Sequence, residues 1–257
     1  PCNSVIIFRK VFNWFLNSLV VIFPDVYLDN SKFFISNQKI NEINSLISKF
    51  GTGISECKMI DCQLDELQSK LPPAIFNNLI NQFEKFVSAR TDEKNPRASI
   101  RLNKDIYFLS KKGGSYQLNK IVFEHRNDEG SYEFYEESDG TQRLFDLIQV
   151  LMDDGFEKVY FIDELNRCFH PDLSLEFVKS FFAKTTNSQL IVTTHEIRLL
   201  DLDLLRRDEI WFCERKSNGP TNLYSLEEFG ERFDRKIDKA YLDGRYGGIP
   251  FFNNYFA

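Results

Sequence analysis

The sequence predicts an α/β protein with a parallel, helix-covered core sheet, an antiparallel β part and a helical lobe. Three changes of hydrophobic period carry that prediction. Apolar residues recur at helical spacing over residues 38–90, alternate over 98–135, and after Ser138 form helical stripes separated by short apolar runs.

Residues 1–37 mix aromatic and aliphatic runs around a turn at Pro24-Asp25, with a β-like piece at Lys32-Phe33-Phe34-Ile35, and are expected to form part of an N-terminal core. The most apolar stretch, residues 15–23, is broken by Asn17 and Ser18 and stopped by Pro24. It falls short of the roughly 20 residues of a membrane span, so it reads as buried core and no membrane association is expected. Three helical stripes follow: Ile40 to Phe50, Leu64 to Leu71, and Ile75 to Phe86. They predict a helical lobe or insertion over 38–97.

From residue 98 the period drops to two, through Ile100, Leu102, Ile106 and Leu109, then Ile121 and Phe123, then Tyr132 and Phe134. Turns at Gly113-Gly114 and Asp128-Glu129-Gly130 make these antiparallel strands. Beyond Ser138 a helix (Leu144, Leu147, Ile148, Leu151), a strand (Val159 to Ile162), a helix (Leu175, Val178, Phe181, Phe182) and a strand (Leu190 to Val192) alternate. That is the rhythm of parallel α/β units buried on both faces.

With 257 residues, 42% hydrophobic and 15% aromatic, the chain can bury a large core as one domain or a domain plus a lobe. A formal charge of -6 and a pI near 5.3 exclude a chain-wide polyanion footprint but leave room for a local basic strip. Five scattered cysteines show neither zinc-site spacing nor the density of a disulfide scaffold, which fits a reducing cytoplasm. No signal peptide is evident, and Pro1 in place of an initiator Met reads as an internal start.

The most informative segment is Lys158-Val159-Tyr160-Phe161-Ile162-Asp163-Glu164. A buried parallel strand delivers adjacent carboxylates to its C-terminal end, where ligands bind in open α/β sheets. In a nucleotide hydrolase Asp163 would join the Mg2+ shell and Glu164 would orient or deprotonate the attacking water; taken alone, acidic strand ends are as readily structural. Ser138-Asp139-Gly140-Thr141-Gln142-Arg143 opens a helix, with Ser138 as cap and Gly140 allowing a phosphate close to the backbone. An ordinary N-cap explains the same residues. Leu190-Ile191-Val192-Thr193-Thr194-His195-Glu196 ends another buried strand on a histidine, which in isolation reads more simply as structural.

The order of these elements resembles the latter half of an ABC-type ATPase domain. Ser138 to Thr141 is similar to the Leu-Ser-Gly-Gly-Gln signature, with Asp139 for the first Gly and Thr141 for Gln. Asp163-Glu164 resembles the Walker B pair, and His195 the switch histidine that touches the γ-phosphate. His170-Pro171-Asp172 occupies the D-loop, whose usual Asp is here His170. The Ser-Asp-Gly-Thr form, the His-Pro after Walker B, residues 200–212 and the tail Gly244-Arg245-Tyr246-Gly247-Gly248-Ile249-Pro250 resemble the bacterial AAA15/AAA21-type ATPases of abortive infection and anti-phage defence. The resemblance is strong over 131–252.

It implies a P-loop NTPase core over 98–257, ATP and Mg2+ as cofactors, and a head-to-tail dimer in which one protomer's signature completes the other's nucleotide. Asp163 would sit at the metal, and Glu164 and His195 would be catalytic. Ser138, Asp139, Gly140, Thr141, Arg143, His170 and Asp172 would contact the nucleotide. An effector nuclease is the partner such proteins often have.

No Gly-x-x-x-x-Gly-Lys-Ser/Thr loop occurs in the sequence; Gly51-Thr52-Gly53 lacks the following Lys. In the family that loop lies near the N-terminus, so the expectation is a homodimer or a second chain supplying Walker A, with this chain truncated or split. Rival readings are an SMC-like DNA repair ATPase, weakened by the shortness of residues 38–90 as a coiled-coil arm, and a nucleotide-blind ABC-like scaffold. Nucleic acid remains an open partner; Arg206-Arg207 has that reading, but a solvated helix end weighs more.

Overall fold

The computed structural model describes residues 3–28, 37–90, 95–102, 104–126, 128–152, 157–184, 187–215, 219–230 and 236–249. In chain order, α1 (Asn3–Asn17) leads to β1 (Leu19–Ile22), followed by α2 (Asn37–Ile47), β2 (Ile54–Cys62), α3 (Leu64–Ser69) and α4 (Pro73–Ser88). The strands β3 (Arg97–Leu102), β4 (Asp105–Lys112), β5 (Ser115–His125) and β6 (Ser131–Glu133) come next. Then α5 (Asp139–Met152), β7 (Val159–Ile162), α6 (Pro171–Lys184) and β8 (Gln189–Val192) alternate. A hairpin of β9 (Trp211–Arg215) and β10 (Thr221–Ser225) precedes α7 (Ile237–Leu242).

Two sheets organise these elements. One is parallel, in the order β1-β7-β8, with Leu19 opposite Val159 and Val159 opposite Gln189. The other is antiparallel, in the order β2-β5-β4-β3, with β6 on β5. Gly113 and Gly114, at φ 58° and 86°, close the β4–β5 hairpin between the paired Lys112 and Ser115. Two consecutive positive φ values match the twist of the strands and favour glycine at both positions.

Helix α5 lies in the main core and is buried from Gln142 to Met152. Phe145 on α5, Phe123 on β5 and Phe134 form a triangle of rings with centroids 5.3–5.8 Å apart, joined by Ile22, Ile162, Phe177 and Phe181. Strand β4 is buried along Asp105 to Ser110 because it packs on both faces. Ile106 and Phe108 enter the main core, while Tyr107 and Leu109 meet Leu67, Phe76 and Phe83 of α3 and α4 in a second cluster.

Residues 15–23 are not the buried core their hydrophobicity suggests. Ile22 is 1% exposed, but Phe15, Leu16 and Phe23 are 57%, 64% and 51% exposed. Ile22 is buried because β1 packs on the main core, whereas no described element covers the apolar sides of α1. No helix among the described residues is long and apolar enough to cross a membrane. The expected strand at Lys32 to Ile35 lies outside the described residues.

The stretch expected to be purely helical holds its three helices, but also β2, which pairs with β5 from Ile54 to Cys62. Its sequence ISECKMIDC lacks clean alternation; pairing along β5 decides it. Helix α2 sends Ile43, Leu46 and Ile47 into the main core, not into the cluster under α3 and α4. The β9–β10 hairpin was likewise not foreseen. It carries a third cluster of Ile210, Phe212, Leu226, Ile237 and Tyr246, where Phe212 stacks on Tyr241 and Tyr246 at 5.5 and 5.4 Å.

Between α3 and the antiparallel sheet, Glu66 accepts from Lys120 at 3.2 Å and Lys70 at 3.4 Å, and Lys120 reaches Glu133 at 2.6 Å. Burial pushes the Glu66 carboxyl up, but its hydrogen bonds and charge pairing with Lys120 and Lys70 outweigh that and hold it below the ordinary 4.5. A carboxyl depressed on folding adds stability above its unfolded pKa and loses it as pH falls through the folded value. The wild type is therefore expected to lose more stability between about pH 5 and about pH 3 than Glu66→Gln. Urea midpoints at the two pH values check this, and parallel losses would remove Glu66 from the acid limb.

Candidate functional site

The three parallel strands end together. Beyond them Asp163 N donates to Ile22 O at 2.9 Å and Thr193 N to Ile162 O at 3.0 Å, so backbone bonding extends to the residues after β7 and β8. Thr193 then closes a polar clamp. Its Oγ1 donates to Asp163 Oδ1 at 2.5 Å and accepts from Glu164 N at 2.9 Å, while its carbonyl accepts from Leu165 N at 3.0 Å. Glu164 turns the chain at φ 48°, a left-handed conformation that costs a non-glycine residue about 1–2 kcal/mol. Its backbone bond to Thr193 holds it there.

A second clamp lies just beyond the first, between the turn after β7 and the residues after Thr193. Asn166 Oδ1 accepts from Thr194 Oγ1 at 3.0 Å and from His195 N at 3.2 Å. Asp163 is half-buried, and Glu164 and His195 are exposed. The two carboxylates and the imidazole therefore stand at the same C-terminal edge of the sheet, open to solvent, where open α/β sheets take ligands.

Helix α5 begins beside the loop that follows β7. Ser138 is an N-cap: its Oγ accepts from Thr141 N at 3.1 Å and lies 2.9 Å from Thr141 Oγ1. Asp139 pairs with Lys104 at 2.8 Å, which lowers the aspartate and raises the lysine from their ordinary values. Gly140 has its own reason to lack a side chain, since a Cβ there would lie 2.7 Å from the Cys168 carbonyl oxygen. Backbone cannot retreat as a side-chain end can, so Gly140→Ala is expected to cost about 1–3 kcal/mol by overpacking. Thermal unfolding checks it; an unshifted melting temperature would mean that the loop moves freely.

Arg143 is buried among α5 and this loop, and burial pushes its guanidinium below the usual range. His170 and Asp172 are exposed at the start of α6, where His170 Nδ1 accepts from Asp172 N at 3.3 Å and Asp172 pairs with Arg198. Among the described residues no hydrogen bond links the Ser138–Arg143 segment, His170 or Asp172 to Asp163, Glu164 or His195. Thr193, Asn166 and the Arg167–Asp25 pair, at 2.9 Å, escaped the reading of the sequence. The only signal for the first two was a hydroxyl and an amide beside the acidic and histidine strand ends.

The strand ends suit Mg2+ with a nucleotide. A carboxylate and a hydroxyl are hard oxygen donors, and Mg2+ is usually held by one or two carboxylates together with substrate phosphates. No group of three or more His, Cys, Asp or Glu side chains forms an all-protein metal cage among the described residues.

Comparison with known proteins bears on the same region. A family model described as "AAA domain, putative AbiEii toxin, Type IV TA system" matches residues 14–201, from within α1 past β8 and through both clamps. No curated protein matches the chain. The matched span is well over half of the 257 residues, and an AAA-type domain carries a nucleotide-binding, ATPase-like role. The chain belongs to this AAA21 family.

Proposed function

We propose that the chain is an ATP-binding and ATP-hydrolysing ABC-type subunit, a dimeric cytoplasmic regulator in bacterial abortive infection or anti-phage defence. The observation that supports the reading is the Thr193 clamp, which fixes Asp163 and Glu164 just past the end of β7, next to β8 and the segment that carries His195 beyond it. Asp163 is assigned to hold Mg2+, and that ion would neutralise phosphate charge when bound. Glu164, exposed on a fixed turn, orients or deprotonates the attacking water. His195, its backbone held by Asn166, is directed to the γ-phosphate. Ser138 and Gly140, with Asp139, Thr141 and Arg143 beside them and His170 and Asp172 at the loop, serve the nucleotide held by a second protomer.

The phosphate-binding loop comes from a homodimer partner, an extended form of the chain or a second chain. Strand β8 offers a place for it, being the terminal strand of the parallel sheet among the described residues, with Ile191 39% exposed, whereas parallel sheets are ordinarily covered. An effector nuclease is the proposed downstream partner. A second reading, a nucleotide-blind scaffold, is favoured by one observation: the 257 residues contain no Walker A loop.

ATP hydrolysis and ATP-dependent dimerisation decide between the two readings, measured on the chain alone and on a form extended upstream through a Walker A loop. Turnover by the extended form alone supports the ATPase. Failure of both forms to bind ATP leaves the scaffold.

A further inference from the structure

The β9–β10 hairpin and the turn Leu226–Phe229 that follows it enclose a cavity of about 440 Å³, lined by Glu214, Asn222, Leu223, Tyr224, Glu228 and Phe229. Its volume is that of a ligand pocket. Glu214 is opposite Asn222 in the hairpin, and Phe212 opposite Tyr224, so strand alternation sets all four on one face. The rings of Tyr224 and Phe229 stand 5.7 Å apart between centroids, tilted by 59°. The Tyr224 hydroxyl donates to Tyr246 O at 2.7 Å, which holds the ring and uses its only proton. Gly247, at φ 68°, lacks a Cβ that would lie 2.5 Å from Tyr224 Oη and 3.0 Å from Glu214 Oε1. The hydroxyl and the carboxylate therefore stand side by side over this glycine of the Gly244–Pro250 tail.

No Lys, Arg or His lines this cavity. Glu214 is half-buried, and its carboxylate makes no hydrogen bond or ion pair to another described residue. Glu228 Oε1 accepts from Ser225 N at 3.0 Å, which leaves Glu228 Oε2 to the cavity. Burial and then the Glu214 charge push the Tyr224 phenol above its usual range. The walls thus present two carboxylates, one amide and two rings, with no cation to balance them. We propose that the cavity is a docking site for a basic side chain, a guanidinium or ammonium presented by a partner peptide. A cation beside the ring faces is drawn to their quadrupoles, and its N–H groups meet the Glu214 and Glu228 oxygens in charge-assisted hydrogen bonds. A divalent metal suits the walls less, since the rings supply no oxygen ligand. None of the lining residues belongs to the strand-end site, so the docking site stands whether or not the chain hydrolyses ATP.

The test titrates acetyl-Gly-Arg-Gly-amide, its lysine counterpart and its citrulline counterpart into the isotope-labelled 257-residue chain at low salt, read by amide NMR. Citrulline keeps the length and shape of arginine and lacks its charge. A basic peptide is expected to bind and to shift the amides of residues 222–229 and of Gly247, and the citrulline peptide to bind at least about tenfold more weakly. Binding by arginine alone identifies a paired guanidinium edge as what is read, and equal binding by lysine identifies the charge; either supports the site. Glu214→Gln and Glu228→Gln each weaken binding, and together they weaken it at least about tenfold. Both keep the side chain's size, and an unchanged melting temperature checks the fold. If the double variant does not fold, Glu228→Gln, at an exposed position, decides. Failure of both basic peptides to bind at millimolar concentration overturns the proposal. So do wild-type affinity in the deciding variant, equal binding of the citrulline peptide, and shifts confined to residues outside the cavity.

Discussion

On the proposed function, Glu164→Gln is expected to abolish ATP turnover, by at least about 10²-fold, in a protein supplied with a phosphate-binding loop, and to leave ATP binding and dimer formation in place. The substitution keeps the side chain's size and removes only its capacity to accept a proton and its charge. The fold has little reason to respond. Glu164 is exposed, and its place in the Thr193 clamp is held through its backbone N–H rather than its carboxylate. Loss of turnover with an unchanged melting temperature, and an ATP-trapped dimer by size-exclusion chromatography, is the expected pair of results. Turnover within a few-fold of wild type would remove Glu164 as the base. Turnover lost together with the fold would make the carboxylate structural.

Phe123→Ala destabilises the protein by about 3–5 kcal/mol. Phe123 is fully buried, at 0% exposure, and touches Phe134 and Phe145 at 5.8 and 5.4 Å between centroids. Truncation leaves a cavity where β5 meets α5, between rings that belong to different elements and cannot all collapse inward. Phe182→Ala is the matching control: Phe182 is 46% exposed on α6, and its loss is expected to cost under about 1 kcal/mol. Urea unfolding of both variants, with unchanged m values, measures the difference. Equal costs would mean that the aromatic triangle is not where α5 is anchored. The phenylalanine bears on function as well, because α5 presents the Ser138 to Thr141 turn beside the loop after β7.

Local pattern made much of the architecture readable. The apolar runs after Ser138 read as parallel strands alternating with helices, as they are, but the expected cover on both faces fails at β8, where Ile191 is 39% exposed; the two glycines at 113 and 114 read as the tight hairpin they form. Residue chemistry at strand ends put Asp163, Glu164 and His195 at one edge. Other features depended on neighbours remote in sequence. Strand β2 exists because β5 pairs with it across more than fifty residues. The apolar side chains of α1 remain exposed although its composition alone reads as core.

The site divides in the same way. The sequence by itself determined which residues stand at the ends of β7 and β8 and at the start of α5, since period and capping are local properties of the chain. Only the tertiary structure decided that Thr193 grips Asp163 and Glu164, and that Asn166 grips the His195 backbone, over separations of 28 to 30 residues. It alone buried the Arg143 guanidinium with an edge unpaired. The physical reason is that a hydrogen bond between strand ends depends on which strands become neighbours and in what register, and no local hydrophobic period encodes that choice.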